Sequence, residues 1–286
     1  MATIISVINF KGGVAKSTTA FNLASALWLC GKKVCVVDAD PQYELTTRMG
    51  FFLKDVDTLN EWLLSEGIED IDPPIYCRYG DLMDFSFIPS SSLIADIELS
   101  FSKQRDRFTS PFFSLKNCLD KLRDTFDYIF IDCPPSPGFM NKLALIASDD
   151  ILVPVECAGE SIDGILKLEN VIKSVTKKAN PDLKMLGYLF TKYDDRTNIT
   201  RQIKEEIESD GHLFKTKIRK SVRFKEAGMY YKNIFEYAPT GNGSEDYMAL
   251  AEELFKVQRP TDWQTRSTEY WNKYIGSQEE SENIEC

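Results

Sequence analysis

The sequence predicts an α/β fold, a doubly wound and mostly parallel sheet with helices on both faces. Short apolar, β-branched runs recur at residues 4–9, 34–37, 85–88, 128–132, 151–155 and 185–191. Stretches of helical period separate them, beginning at Lys16 and covering 112–124, 162–178 and 199–209. The runs are apolar at nearly every position, the pattern of strands buried on both faces. Strands that alternate with helices build parallel sheets by right-handed crossovers.

Taken in order, the first run leads into Lys11-Gly12-Gly13, and a helix follows with Phe21, Leu23, Ala24, Leu27 and Trp28 on its apolar side and Gly31 as its stop. The second run, Val34 to Val37, ends at Asp38-Ala39-Asp40-Pro41. Residues 66–84, with Pro73-Pro74 and several acids, read as loop. There is no internal repeat and no Pro/Gly-rich linker, so residues 1–258 read as one domain. Residues 259–275 read as a last helix, with Trp263, Tyr270, Trp271 and Tyr274 as an aromatic stripe packed on its own domain. The acidic residues 276–286 read as a disordered tail.

Composition narrows the chemistry. A single histidine, His212, leaves little for a histidine-based triad or a multi-histidine metal site. The seven cysteines include no CxxC pair, which argues against a zinc ribbon and for reduced, buried thiols. No stretch reaches the ~20 apolar residues of a membrane span, and the first residues lack the basic start of a secretory signal, so a cytoplasmic protein is expected. The net charge of −10 argues against nucleic acid as a partner unless basic residues cluster locally.

Residues 10–18, FKGGVAKST, carry the clearest chemistry. The common phosphate-loop pattern GxxxxGK[ST] fails at both glycines, where Phe10 and Ala15 stand. The physical elements remain: a buried strand ends, two glycines turn the backbone, and a helix begins. Backbone N–H groups of 12–17 can then converge on phosphate oxygens at a helix N-terminus. Lys16 can reach the β/γ-phosphates, Ser17 can ligate Mg²⁺ and Thr18 can contact the α-phosphate.

KGGVAKST resembles the deviant Walker A motif of the ParA/MinD superfamily, KGGxGK[ST]. Two further motifs agree in order and context. Asp38-Ala39-Asp40-Pro41-Gln42 resembles the family's DxDPQ, and Tyr128 to Pro135 resembles its Walker B, hhhhDxPP. Phe87-Ile88-Pro89-Ser90, Leu186-Gly187-Tyr188 with Thr191 to Asp194, and Glu236 to Pro239 with 245–254 extend the likeness over about residues 1–256. Ala15 departs from the family glycine, a change that a near-helical backbone tolerates. Tyr43 and Glu44 depart from the family's DPQGN.

The resemblance implies an ATPase with ATP and Mg²⁺ as cofactors. Gly12, Gly13, Val14, Ala15, Lys16, Ser17 and Thr18 would cradle the nucleotide, and Pro239 would line the adenine pocket. Lys11 would reach the ATP of the partner in a homodimer that sandwiches nucleotide. Asp132 would hold Mg²⁺ through a water, with Ser17 as a direct ligand. Asp40 would position the attacking water and Asp38 would support water and metal. One positioned carboxylate without a strong base implies slow turnover.

Members of this superfamily differ in what they carry. A ParA-like ATPase would bind double-stranded DNA non-specifically and segregate a plasmid or chromosome region, or position a protein organelle such as a carboxysome. It would act through a ParB-like or organelle adaptor that stimulates hydrolysis. Lys215, Lys217, Arg219, Lys220 and Arg223 lie in KTKIRKSVRFK with no acid among them, a run suited to phosphate contacts. A solvated basic edge is the structural alternative. A MinD-like membrane ATPase would need a basic amphipathic C-terminal helix, where this chain carries Glu279, Glu280, Glu282 and Glu285. A metabolic relative with an iron–sulfur cluster would need paired cysteines, and Cys133 reads as a packing residue. The resemblance is to the short members that leave sequence-specific DNA recognition to the adaptor.

Overall fold

The computed structural model describes residues 1–51, 56–65, 72–80, 82–103, 110–156, 162–194 and 212–274. The strands are β1 (Thr3–Val7), β2 (Val34–Asp38), β3 (Tyr76–Tyr79), β4 (Leu82–Ile88), β5 (Tyr128–Asp132), β6 (Asp150–Glu156) and β7 (Lys184–Thr191). They form one sheet in the order β3-β4-β2-β5-β1-β6-β7, parallel throughout except for the β3/β4 hairpin. The helices are α1 (Lys16–Leu29), α2 (Glu44–Arg48), α3 (Leu59–Ser65), α4 (Ile97–Lys103), α5 (Ser114–Asp120), α6 (Phe139–Ala147), α7 (Ile162–Lys178), α8 (Arg223–Met229), α9 (Ile234–Tyr237), α10 (Asn242–Phe255) and α11 (Trp263–Tyr274). None is long and apolar enough to cross a membrane.

Alternate strand residues feed two separate cores, because successive side chains of a strand point to opposite faces. Ile4, Val37, Ile129 and Ile131 join helices α3 to α7 on one face. Ile5, Val36, Phe130 and Leu152 join α1 and α10 on the other. The fold is the doubly wound, mostly parallel sheet that the alternation of apolar runs predicts. Register matters most at the sheet's centre, where β5 pairs Asp132 with Val7 of β1 on one side and with Asp38 of β2 on the other. Two carboxylates thus end neighbouring strands beside the start of the loop after β1.

The structure corrects some element readings. Residues 76–79 and the start of β4 form an antiparallel hairpin where a loop was expected. Tyr79 explains this: it is fully buried and stacks on Trp28 of α1 at 4.5 Å. The expected helix over 112–124 is shorter, with a 3₁₀ turn at Pro111–Phe113 before α5. The expected helix over 199–209 and the acidic tail lie outside the described residues.

Helix α11 is attached by aromatic contacts. Trp263 meets Phe235 edge-on at 5.7 Å, and Tyr270 meets Trp28 at 4.9 Å. Trp271 is buried against the guanidinium of Arg78, 5.2 Å from its ring centre. Arg78 is itself buried. It donates to Tyr231 O at 2.7 Å, to the carbonyl of Met49 and, at 2.9 Å, to the fully buried carboxylate of Glu236.

Candidate active site

The loop between β1 and α1 is fixed from both ends. Asn9 donates through Nδ2 to Pro154 O at 2.8 Å and accepts from Lys11 N at 2.9 Å. Thr191 Oγ1 donates to Val14 O at 3.1 Å. Gly13 turns at φ 77°. Ala15 does not have the near-helical backbone expected of it; it sits in the left-handed region at φ 70°, ψ 34° and caps α1. That conformation costs a non-glycine residue about 1–2 kcal/mol, so the chain holds strain where a glycine would carry none. No side chain caps the N-terminus of α1, which leaves its first amides to other acceptors.

Lys16, only 7% exposed, lies under this loop, and its Nζ donates to Lys11 O at 3.1 Å. Burial lowers its pKa, while Asp132, Cys133, Asp40 and Glu44 pull it back toward the charged form. Asp132 is fully buried and neither of its carboxylate oxygens has a hydrogen-bond partner of good geometry. Burial and the neighbouring Asp38 push its carboxyl well above the usual range, against the pull of Ser17 and Lys16. A carboxylate buried without a partner is costly, and one aimed at a phosphate loop fits an outer-sphere metal ligand.

The other two aspartates are occupied differently. Asp38 accepts from Thr46 N at 2.8 Å, Thr46 Oγ1 at 2.7 Å and Asp40 N at 3.1 Å. Burial still raises its pKa to about 6. Thr46 also accepts from Ser90 N at 3.0 Å, so Asp38 ties α2 to the end of β4. Asp40 is half-buried, spends one oxygen on Gln42 N at 2.9 Å and faces the cleft. Tyr43, in the left-handed region at φ 41°, turns the chain from Asp40 into α2.

A cleft of about 670 Å³ opens above the loop. Gly12, Gly13, Ala15, Lys16, Ser17, Thr18 and Asp40 line one side. Val14 is buried beneath it. Part of the basic run, Arg219, Lys220 and Lys225, also lines it, with Ile218, Val222, Phe224 and Tyr247. Pro239, expected in the adenine pocket, is not among the lining residues. Arg219 is paired with Asp246, Nη2 to Oδ1 at 2.6 Å, and is not a free surface cation. Lys217 donates to Tyr193 OH at 2.9 Å, its Nζ 4.0 Å from that ring's centre. Lys215 and Arg223 are exposed outside the cleft lining. Sequence reasoning missed Glu44, Arg48, Glu156 and Lys192 as lining residues. They lie on α2 and at the ends of β6 and β7, and that placement is the signal that could have found them.

The donor set fits a magnesium nucleotide: a glycine loop, an uncapped helix start, a buried lysine and an orphaned carboxylate at one sheet edge. A family model described as an AAA domain matches residues 2–185. Soj, the sporulation initiation inhibitor protein of Bacillus subtilis, is 35% identical over 256 residues, covering 89% of this chain and 98% of Soj. The chain belongs to the ParA/MinD superfamily of P-loop ATPases. The chromosome partitioning protein ParA of Myxococcus xanthus is 34% identical, covering 90% of this chain and 89% of that protein. Among solved structures, cobyrinic acid a,c-diamide synthase of Mycobacterium smegmatis with ADP and magnesium is 28% identical. It covers 90% of this chain and 95% of its own, at a TM-score of 0.74. This chain is thus a ParA-like ATPase by family. Cys133, weighed as a cluster ligand, is fully buried in the core with its thiol pushed upward by burial.

Proposed function

We propose that this ParA-like chain binds Mg-ATP in the cleft above residues 11–18 and hydrolyses it slowly to switch its association state. The pairing of buried Lys16 with the unpartnered carboxylate of Asp132 beneath the loop carries this reading. Bound Mg²⁺ would neutralise phosphate charge and polarise the scissile bond. Ser17 would ligate the metal and Asp132 would hold one of its waters. Lys16 and the amides of 12–17 would hold the β/γ-phosphates, and Thr18 the α-phosphate. Asp40 keeps an oxygen open to the cleft and would orient the attacking water. Asp38, with both oxygens engaged, would hold α2 in place and act through it. Lys11 would reach the nucleotide of a second copy in a homodimer.

The same reading makes the protein a cytoplasmic, nucleoid-associated partition ATPase that works with a ParB-like adaptor. Two of its relatives, Soj and ParA of Myxococcus xanthus, are named as a sporulation initiation inhibitor and a chromosome partitioning protein, which favours DNA as cargo. Non-specific duplex binding would use Lys215, Lys220 and Arg223, with Lys217 beside them. Anisotropy with two unrelated duplexes, with and without Mg-ATP at low and moderate salt, tests this. ATP-dependent, salt-sensitive binding to both, lost on reversing Lys215 and Arg223 to Glu, supports it. Absence of binding under every condition removes DNA from the function. Asp40→Ala should bind ATP and lose hydrolysis; normal turnover would remove Asp40 from its role.

A further inference from the structure

We propose that Arg219 is a nucleobase platform: its guanidinium, held in place by Asp246, stacks on the base of the bound nucleotide and does not contact DNA phosphate. This deepens the Mg-ATP reading and rests on it. Arg219 gives four bonds to one carboxylate. Nε donates to Oδ1 at 3.0 Å and Oδ2 at 3.1 Å, Nη2 to Oδ1 at 2.6 Å, and the backbone N to Oδ2 at 2.9 Å. Asp246 is 7% exposed and sits in the first turns of α10. The donor edge is spent on a buried acid, and the acid's charge cancels the attraction a DNA phosphate would feel. A guanidinium so held still offers its flat face, which stacks on aromatic rings.

The surroundings suit a base. Arg219 lines the same cleft as Lys16, together with Val222, Phe224 and Tyr247. Phe224 meets Tyr247 edge-on at 5.8 Å. Tyr247 OH lies 3.1 Å from Thr19 Oγ1, one residue beyond the Thr18 assigned to the α-phosphate. The cleft thus sets the charged loop beside a segment that carries Ile218, Val222 and Phe224 with the fixed Arg219 and the lysines Lys220 and Lys225. Apolar and aromatic side chains with a fixed polar group among them are the usual setting for a base.

Calorimetry on the full chain with two probes, Mg-ATP and magnesium with inorganic tripolyphosphate, tests the assignment. Arg219→Ala should weaken ATP by roughly 3- to 30-fold and leave tripolyphosphate unchanged, which also shows that the variant is folded. Arg219→Lys should not rescue, since an ammonium has no face to stack. Duplex affinity measured at saturating ATP should be unchanged in both variants. Equal loss of ATP and tripolyphosphate, unchanged ATP affinity, full rescue by lysine, or lost DNA binding at ATP saturation would each overturn it. A wild-type chain that binds tripolyphosphate but gains nothing from the base refutes the platform alone. One that binds neither refutes the ATP reading with it.

Discussion

Replacing Ala15 with glycine should make the protein more stable without making it bind nucleotide much better. Ala15 holds φ 70°, ψ 34° at the start of α1. A left-handed conformation costs an L-residue about 1–2 kcal/mol. Glycine removes that cost but brings a more flexible unfolded chain, which returns about 0.5–1 kcal/mol. The net gain is about 0–1.5 kcal/mol, centred near 0.75, or a rise in Tm of roughly 2 °C for a chain of this size. The strain is imposed by the fold, because Thr19 N donates to Ala15 O at 2.9 Å and Thr191 holds the neighbouring Val14 carbonyl. It is thus present with and without ligand and cancels from the binding equilibrium, so the Kd for Mg-ATP should change by less than about two-fold. Thermal unfolding and calorimetry on the two proteins measure both quantities. A lower Tm would refute the strain assignment. A ten-fold tighter Kd at constant Tm would show that the loop leaves this conformation when free.

Arg78→Met should destabilise by about 3–5 kcal/mol, because it strands the buried carboxylate of Glu236. The Arg78→Met/Glu236→Gln double variant should recover part of this in denaturant unfolding; equal loss would mean the ion pair is not the cause. Asp132→Asn should hold or raise Tm in EDTA, since a neutral amide is cheaper to bury than an unpartnered carboxylate. The same variant should lose most of the Mg-ATP-dependent rise in Tm, and a full rise would remove Asp132 from the metal site. Asp38 has a folded pKa of about 6 against an ordinary 3.8, so the native state binds its proton more tightly than the unfolded chain. Its contribution therefore falls as pH rises from about 4 to about 6 and is constant above that. Unfolding across pH 4–7 in EDTA should show a shallower decline in Asp38→Asn; identical slopes would discount the shift.

Much of the fold is legible in the sequence because parallel strands buried on both faces leave unbroken apolar runs, and β5, Tyr128–Asp132, is the clearest case. The β3/β4 hairpin is not legible for a related reason. Its burial is carried by Tyr79 and by Arg78, and a buried arginine reads as a surface residue until its partners Glu236, Tyr231 and Met49 are known. Those partners lie up to 158 residues away. The basic run shows the converse limit. Six cations without an acid suggest a DNA surface in one dimension, but Asp246 reaches Arg219 from 27 residues downstream and turns part of that run into a cleft wall.

The three aspartates give the most direct view of what structure adds. Sequence motifs place Asp38, Asp40 and Asp132 at the same sheet edge, and cross-strand register sets Asp38 beside Asp132. Three acids in one place could share any of three tasks. Hydrogen-bond occupancy separates them. Asp38 receives two donors from Thr46 of α2 and one from Asp40 N, so it ties α2 to the end of β2. Asp40 keeps an oxygen toward the cleft, where a water could be oriented. Asp132 receives no donor of good geometry, and a fully buried acid in that position is ionised readily only if a cation or its water completes it. Each assignment rests on what the neighbours have already taken: Thr46 and Asp40 N at Asp38, Gln42 N of the same motif at Asp40, and no well-placed donor at Asp132.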